Sequence, residues 1–176
     1  MAIKKLCHIH IYVKDIKEAS KRLADVMGTK WMGTLPVPPF NLQVAFDNIG
    51  LELWSLTSED SPFMKYVPAG GQGIYSIGLQ VSNIEQTVAD MQAKGVEFID
   101  LLPKTHPGQK VFVGNDCIKG AMTVPNSLFG VMFELIEYPE WPTVVLANLN
   151  RLTNIKAPWE IGAKWEADLT HGRSYM

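Results

Sequence analysis

The chain repeats itself. Ile77-Gly78-Leu79-Gln80-Val81-Ser82-Asn83-Ile84 matches Ile9-His10-Ile11-Tyr12-Val13-Lys14-Asp15-Ile16 at a constant offset. Both copies alternate side chains in the period-two pattern of a half-buried strand, and both run into a helix start, at Asp15 and Asn83. The first helix carries Ile16, Ala19, Leu23 and Met27 at helical spacing and stops at Gly28; in the second, Val88 and Met91 continue the stripe to Gly95. Residues 31–35 then read as a strand closed by Pro36, Pro38 and Pro39. Residues 42–46 and 50–56 read as two more, joined by a turn at Asp47-Asn48. Later, Leu101-Leu102-Pro103 echoes Thr34-Leu35-Pro36, and Phe133-Glu134-Leu135-Ile136 echoes Leu51-Glu52-Leu53-Trp54. Two copies are too few for a solenoid, so the pattern predicts a duplicated βαβββ module.

The predicted boundaries are 1–56 for the first module, 57–73 for a linker, 74–138 for the second module and 139–176 for a C-terminal extension. The linker is marked by serine, proline and Gly70, Gly71 and Gly73, which do not open a helix and so do not form a phosphate cradle. In the extension, Val145, Leu149 and Leu152 make a helical stripe, with Trp141, Trp159 and Trp165 nearby. It would cover the outer sheet of its own chain, or reach over a site mouth or onto a second subunit.

A chain of 176 residues that is 47% hydrophobic can bury a real core. A net charge of −2 without a Lys/Arg run points away from nucleic acid and anionic membranes. No stretch approaches the ~20 apolar residues of a spanning helix, and the first residues lack the apolar run of a signal peptide. Cys7 and Cys117 show neither metal-ligand spacing nor a disulfide framework. The expectation is a soluble cytoplasmic protein.

The chemistry lies in the strands. His8, His10 and Tyr12 share one strand face, and two imidazoles two residues apart can converge on one point; the plain alternative is a hydrogen-bonded strand face. Glu52 and Glu134 occupy the same register inside otherwise apolar runs. A carboxylate buried there is costly unless it is paired, hydrogen-bonded or bound to a cation, whereas alternation would also let each face solvent. Tyr12 and Gln80 hold matching positions in the two halves, where they would orient a substrate or simply pack. His106 reads as an exposed loop histidine, and Met122 and Met132 read as core.

His8 in Leu6-Cys7-His8-Ile9, Glu52 in Leu51-Glu52-Leu53 and Glu134 in Phe133-Glu134-Leu135 resemble the pattern of the vicinal oxygen chelate superfamily over residues 4–138. That superfamily includes glyoxalase I, methylmalonyl-CoA epimerase, extradiol dioxygenases and the bleomycin and fosfomycin resistance proteins. The resemblance implies an α+β fold in which two βαβββ modules form cupped β-sheets with helices outside. It implies a His on the first strand and an acidic or amide residue on the last strand of each module. The second-module His is replaced here by Ser76, a poor ligand that would shift the site toward hard cations unless His10 repairs it.

The implied activity is a metal-dependent lyase, isomerase or epimerase of the glyoxalase type, acting on a small carbonyl compound. The implied metal ligands are His8, Glu52 and Glu134, with His10 as this chain's own addition, around a divalent ion such as Zn, Ni, Co, Mn, Mg or Fe. Glu134 is expected to be the proton-moving base, because Met132 and Ile136 suggest a drier setting than Gly50 and Trp54 give Glu52. Tyr12, Gln80, Trp54 and Ser76 are the expected substrate contacts. The alternatives are a metal-free, resistance-type binding protein, or a ring-cleaving dioxygenase with two histidines and one carboxylate. A homodimer is expected, since partners often complete such modules.

Overall fold

Asp15 and Asn83 start the two helices. Each side chain accepts the backbone N–H three residues on, from Glu18 at 3.0 Å and from Gln86 at 2.9 Å. Gly28 ends the first helix in the left-handed conformation, at φ 71°, which a side chain would disfavour. Around these helices a computed structural model describes residues 3–103, 105–113 and 118–138. The expectations for Cys117 and for the extension 139–176 lie outside the described residues.

The order is β1 (Ile3–Tyr12), α1 (Ile16–Met27), β2 (Leu35–Val37), β3 (Leu42–Phe46) and β4 (Leu51–Leu56). It repeats as β5 (Gly73–Val81), α2 (Ile84–Gln92), β6 (Phe112–Val113), β7 (Lys119–Met122) and β8 (Phe133–Glu137). This is the α+β arrangement of two βαβββ units. Among the described residues their strands join into one mixed eight-stranded sheet in the order β2-β3-β4-β1-β5-β8-β7-β6. β1 and β5 form an antiparallel seam, and each runs parallel to the last strand of its own unit.

Three local expectations shift. The strand expected at 31–35 is instead Leu35–Val37, with Trp31 making only an isolated bridge to Asp47. β2 is an edge strand, so Pro36 can sit inside it without costing an interior hydrogen bond. In the second unit Leu101-Leu102-Pro103 forms no strand; the edge strand comes later, at Phe112–Val113, after a turn that includes the exposed His106. The first helix also buries less than its spacing suggests, because Met27 is exposed while Ile16 is buried.

Strand parity sorts the core. Leu53 and Leu135 point to the helix side, where Leu53 packs with Val13, Ile16 and Ala45, and Leu135 with Ile84, Val88 and Ala121. Glu52, Trp54, Glu134 and Ile136 point to the other side. There the sheet curls. Phe40, in the turn after β2, and Phe112 on β6 belong to opposite sheet edges, which in a flat sheet would be roughly 34 Å apart at ~4.8 Å per strand. Their ring centroids are 4.8 Å apart. The concave side therefore closes around its own core, which includes Leu35, Trp54, Phe63, Tyr75, Leu101 and the buried Met122 and Met132. Residues 57–73 take part in this closure. Phe63 is 1% exposed, and the Tyr75 hydroxyl donates to its carbonyl at 3.0 Å.

Candidate active site

The central strands carry two rows of facing residues. One row runs Glu52 on β4, His10 on β1 and Ser76 on β5. The other runs His8 on β1, Gly78 on β5 and Glu134 on β8. Because β1 and β5 are equivalent strands paired antiparallel, the rows are counterparts under a local two-fold rotation: Ser76 stands where the repeat has His8, and Gly78 where it has His10. The four donor residues come from three strands and converge on the concave side.

His8 Nε2 lies 2.9 Å from Glu134 Oε2 and 3.4 Å from Glu52 Oε2. His10 Nε2 lies 3.1 Å from Glu52 Oε2 and 3.2 Å from Glu134 Oε2. Donors held ~2.1 Å from one cation stand roughly 3.0–3.4 Å apart at octahedral to tetrahedral angles. The cluster has that spacing. A second observation supports the fit. His10 Nε2 is buried and in well-aligned hydrogen-bond geometry with neither carboxylate oxygen, although Oε2 of Glu52 and of Glu134 approach it at 3.1 and 3.2 Å. A buried ring nitrogen facing two carboxylate oxygens is a place for a proton when no metal is present and for a cation in exchange for that proton when one is.

Ser76 explains how His10 is held. Its hydroxyl hydrogen-bonds His10 Nδ1, on the side of the ring away from the cluster, and both residues are buried. A proton on Nδ1 donated to Ser76 leaves the Nε2 lone pair free toward the cluster. Trp54 does the same for Glu52, donating its indole N–H to Oε1 at 2.6 Å, and its ring packs at a tilt against His10 at 4.6 Å. Gly78, which the sequence reading passed over, makes room for His8. A β-carbon there would sit 2.6 Å from His8 Nε2 and 2.8 Å from Cε1. The available signal was a glycine inside an apolar strand, which marks a close approach.

The electrostatics follow from this crowding. Burial pushes the His8 imidazole down, but hydrogen bonds with Cys7 and Glu134 and the charges of Glu52 and Glu134 hold it well above 6.5. His10 is also raised; burial opposes the shift, and the Glu52 charge is the main cause that overcomes it. For Glu134 burial acts upward, yet the two histidines hold it far below the usual carboxylate range.

The glutamates differ, but not as the sequence suggested. The Glu134 side chain is 18% exposed and that of Glu52 is 7%, so Glu52 has the drier setting. Strand neighbours misled because the curl of the sheet, and not the residues two positions away, decides water access. Both glutamates reach an apolar cavity of about 190 Å³, as does Trp54. Tyr12 and Gln80 do not line it: Tyr12 packs near Tyr75, at 6.2 Å between ring centroids, and Gln80 is buried within β5. Phe40, Phe63 and Phe112, from two turns and an edge strand, line the cavity without any periodic pattern to announce them.

A family model for the glyoxalase/bleomycin resistance protein/dioxygenase superfamily matches residues 7–113. The mitochondrial methylmalonyl-CoA epimerase of Mus musculus is 31% identical over 98 residues, covering 52% of this chain and 54% of the mouse protein. The chain thus spans about half the length of that relative. The uncharacterized protein YqjC of Bacillus subtilis is 28% identical, covering 77% of this chain and 93% of its own. Among solved structures, a hypothetical protein of Bacillus halodurans superposes with TM-score 0.64 at 29% identity, covering 77% of this chain and 95% of its own. A Streptomyces coelicolor methylmalonyl-CoA epimerase in complex with 2-nitronate-propionyl-CoA also gives 0.64, at 20% identity, covering 79% of this chain and 100% of its own. That last likeness bears on the fold alone.

Proposed function

The chain belongs to the glyoxalase/bleomycin resistance protein/dioxygenase superfamily, and on that premise we propose that it is a metal-dependent isomerase of the epimerase kind. Its reaction would move a proton at the carbon next to a carbonyl of a small molecule. The observation that carries this reading is the convergence of two imidazoles and two carboxylates, all four contacts between 2.9 and 3.4 Å, around the buried His10 Nε2.

His8, His10, Glu52 and Glu134 would hold a divalent ion. When bound, such an ion polarises a carbonyl oxygen and so acidifies the adjacent C–H. The rest falls to the chain. Ser76 and Trp54 fix His10 and Glu52, which leaves Glu134 as the carboxylate with the less constrained end. Its Oε2 faces both imidazoles, and its side chain is the more open of the two toward the cavity. Glu134 takes the proton from one face of the substrate carbon, leaving an enolate, and inversion is complete when a second acid, not Glu134, delivers a proton to the opposite face. Greater openness, rather than dryness, supports Glu134 as the base.

The test is solvent-deuterium incorporation at that carbon, followed by NMR on acyl thioesters, together with metal analysis of protein purified without a His tag. Metal-dependent exchange in the wild type, lost in Glu134→Gln, is the expected result. A wild type that binds no metal and exchanges no proton would sink the reading. One alternative has an observation behind it: His8, His10 and Glu52, with donor atoms within 4.8 Å of one another, are also a two-histidine, one-carboxylate set. Iron-dependent oxygen uptake with a catechol would favour that alternative, against which Glu134 stands as a fourth donor.

We also propose a homodimer. Leu6, Ile74 and the fully exposed Phe129 offer apolar surface for it.

A further inference from the structure

We propose that the substrate carries, beside its reacting carbonyl, a neutral hydrocarbon group about the size of one aromatic ring, and not a carboxylate. This rests on the isomerase reading and names the substrate class of the same site.

The argument starts from the wall of the cavity. Ring contacts run without a break from the sheet edge to the metal-binding cluster. Phe112 meets Phe40 at 4.8 Å, Phe40 meets Phe63 at 5.7 Å, Phe63 meets Trp54 at 5.2 Å and Trp54 meets His10 at 4.6 Å. Aliphatic side chains such as Leu35, Val44 and Leu101 fill in between. Among the described lining residues the charged ones are Glu52, Glu134 and Lys119. The glutamates belong to the cluster, and Lys119 gives its ammonium to Glu85 of α2 at 2.6 Å. A substrate carboxylate seated among these rings, away from the cluster and its cation, would lose its water and meet hydrocarbon, which is a large penalty.

Volume sets the size of the group. The cavity measures about 190 Å³, and an apolar cavity of about 150 Å³ lined by aliphatic and aromatic side chains takes up benzene. A phenyl ring or a branched chain of similar bulk fits. Aromatic walls offer edge-to-face contact to a ring, which adds selectivity beyond burial. With its carbonyl turned to the cluster, such a substrate places the neighbouring C–H beside Glu134 while the hydrocarbon fills the aromatic box.

The test compares two N-acetylcysteamine thioesters on the metal-loaded wild type, 2-phenylpropionyl and methylmalonyl, by NMR deuterium exchange and by calorimetric binding. The expected result is at least tenfold faster exchange and tighter binding of the phenyl compound. Phe112→Ala should lower that preference by removing one wall, and Val44→Phe should lower it by filling the space. Circular dichroism and metal content confirm that each variant is folded and loaded. Equal or faster exchange of the methylmalonyl compound overturns the inference and leaves the isomerase reading standing. Tight binding of the phenyl compound without exchange of either supports the cavity assignment and removes the isomerase reading. Failure to bind the phenyl compound at all overturns the inference.

Discussion

The His8 imidazole lies directly over the Cα of Gly78, where a β-carbon would come within 2.6 Å of Nε2. The missing side chain on β5 is what lets a ring from β1 reach Glu134 on β8. Gly78→Ala should therefore displace His8 rather than unfold the protein, at a stability cost of about 1–3 kcal/mol from overpacking. Metal content and exchange activity should both fall sharply. A variant that retains full metal and activity would show that His8 is not positioned this way.

Ser76 is expected to act through His10. Ser76→Ala removes the partner of Nδ1, and losing such an outer partner typically costs about 10–100-fold in metal affinity. Ser76→Thr, which restores a hydroxyl, should recover much of it. Competition with a chelating indicator measures both, and equal affinity in all three proteins would refute the role.

The two glutamates should separate on mutation. Glu134→Gln is expected to abolish turnover while some metal stays bound, since His8, His10 and Glu52 remain. His8→Ala should lose the metal as well. Trp54→Phe, which frees Glu52 Oε1 from its 2.6 Å hydrogen bond, should weaken metal binding without removing the base. Full activity in Glu134→Gln contradicts the assignment.

The pH response should reverse with metal. In the metal-free protein His8 and His10 are raised above 6.5, so their contribution to stability is complete below 6.5 and is lost as pH rises through the folded values. Glu134 is lowered from 4.5, so its contribution is complete above 4.5 and is lost as pH falls. Between these limits all three contribute. Metal binding needs neutral imidazoles, so zinc should stabilise more as pH rises above 6.5. Denaturant midpoints at pH 5.5 and 8.5, with EDTA and with zinc, test this. An EDTA-treated protein that is more stable at 8.5 would contradict it.

Light scattering tests the homodimer. A single 19.6 kDa species at tens of micromolar, a range that covers weaker specific interfaces, would count against it.

The repeat, the two helix caps and the acidic register at Glu52 and Glu134 are local patterns, and period and capping chemistry are enough to read them. They determined the α+β duplication and marked His8, His10, Glu52 and Glu134 as worth attention. The sequence could not say how far the sheet curls, because curl is a property of all eight strands together. The curl brings Phe40 to Phe112, folds Phe63 of the supposed linker into the cavity wall, and leaves Glu134 more open than Glu52. The antiparallel register of β1 and β5 was equally out of reach. It sets Ser76 behind His10 and Gly78 beneath His8, so two residues that looked like departures from a pattern become the support of the site. A strand's own residues specify which face a side chain takes, whereas what that side chain meets depends on the neighbouring strand and on the shape into which the whole sheet closes.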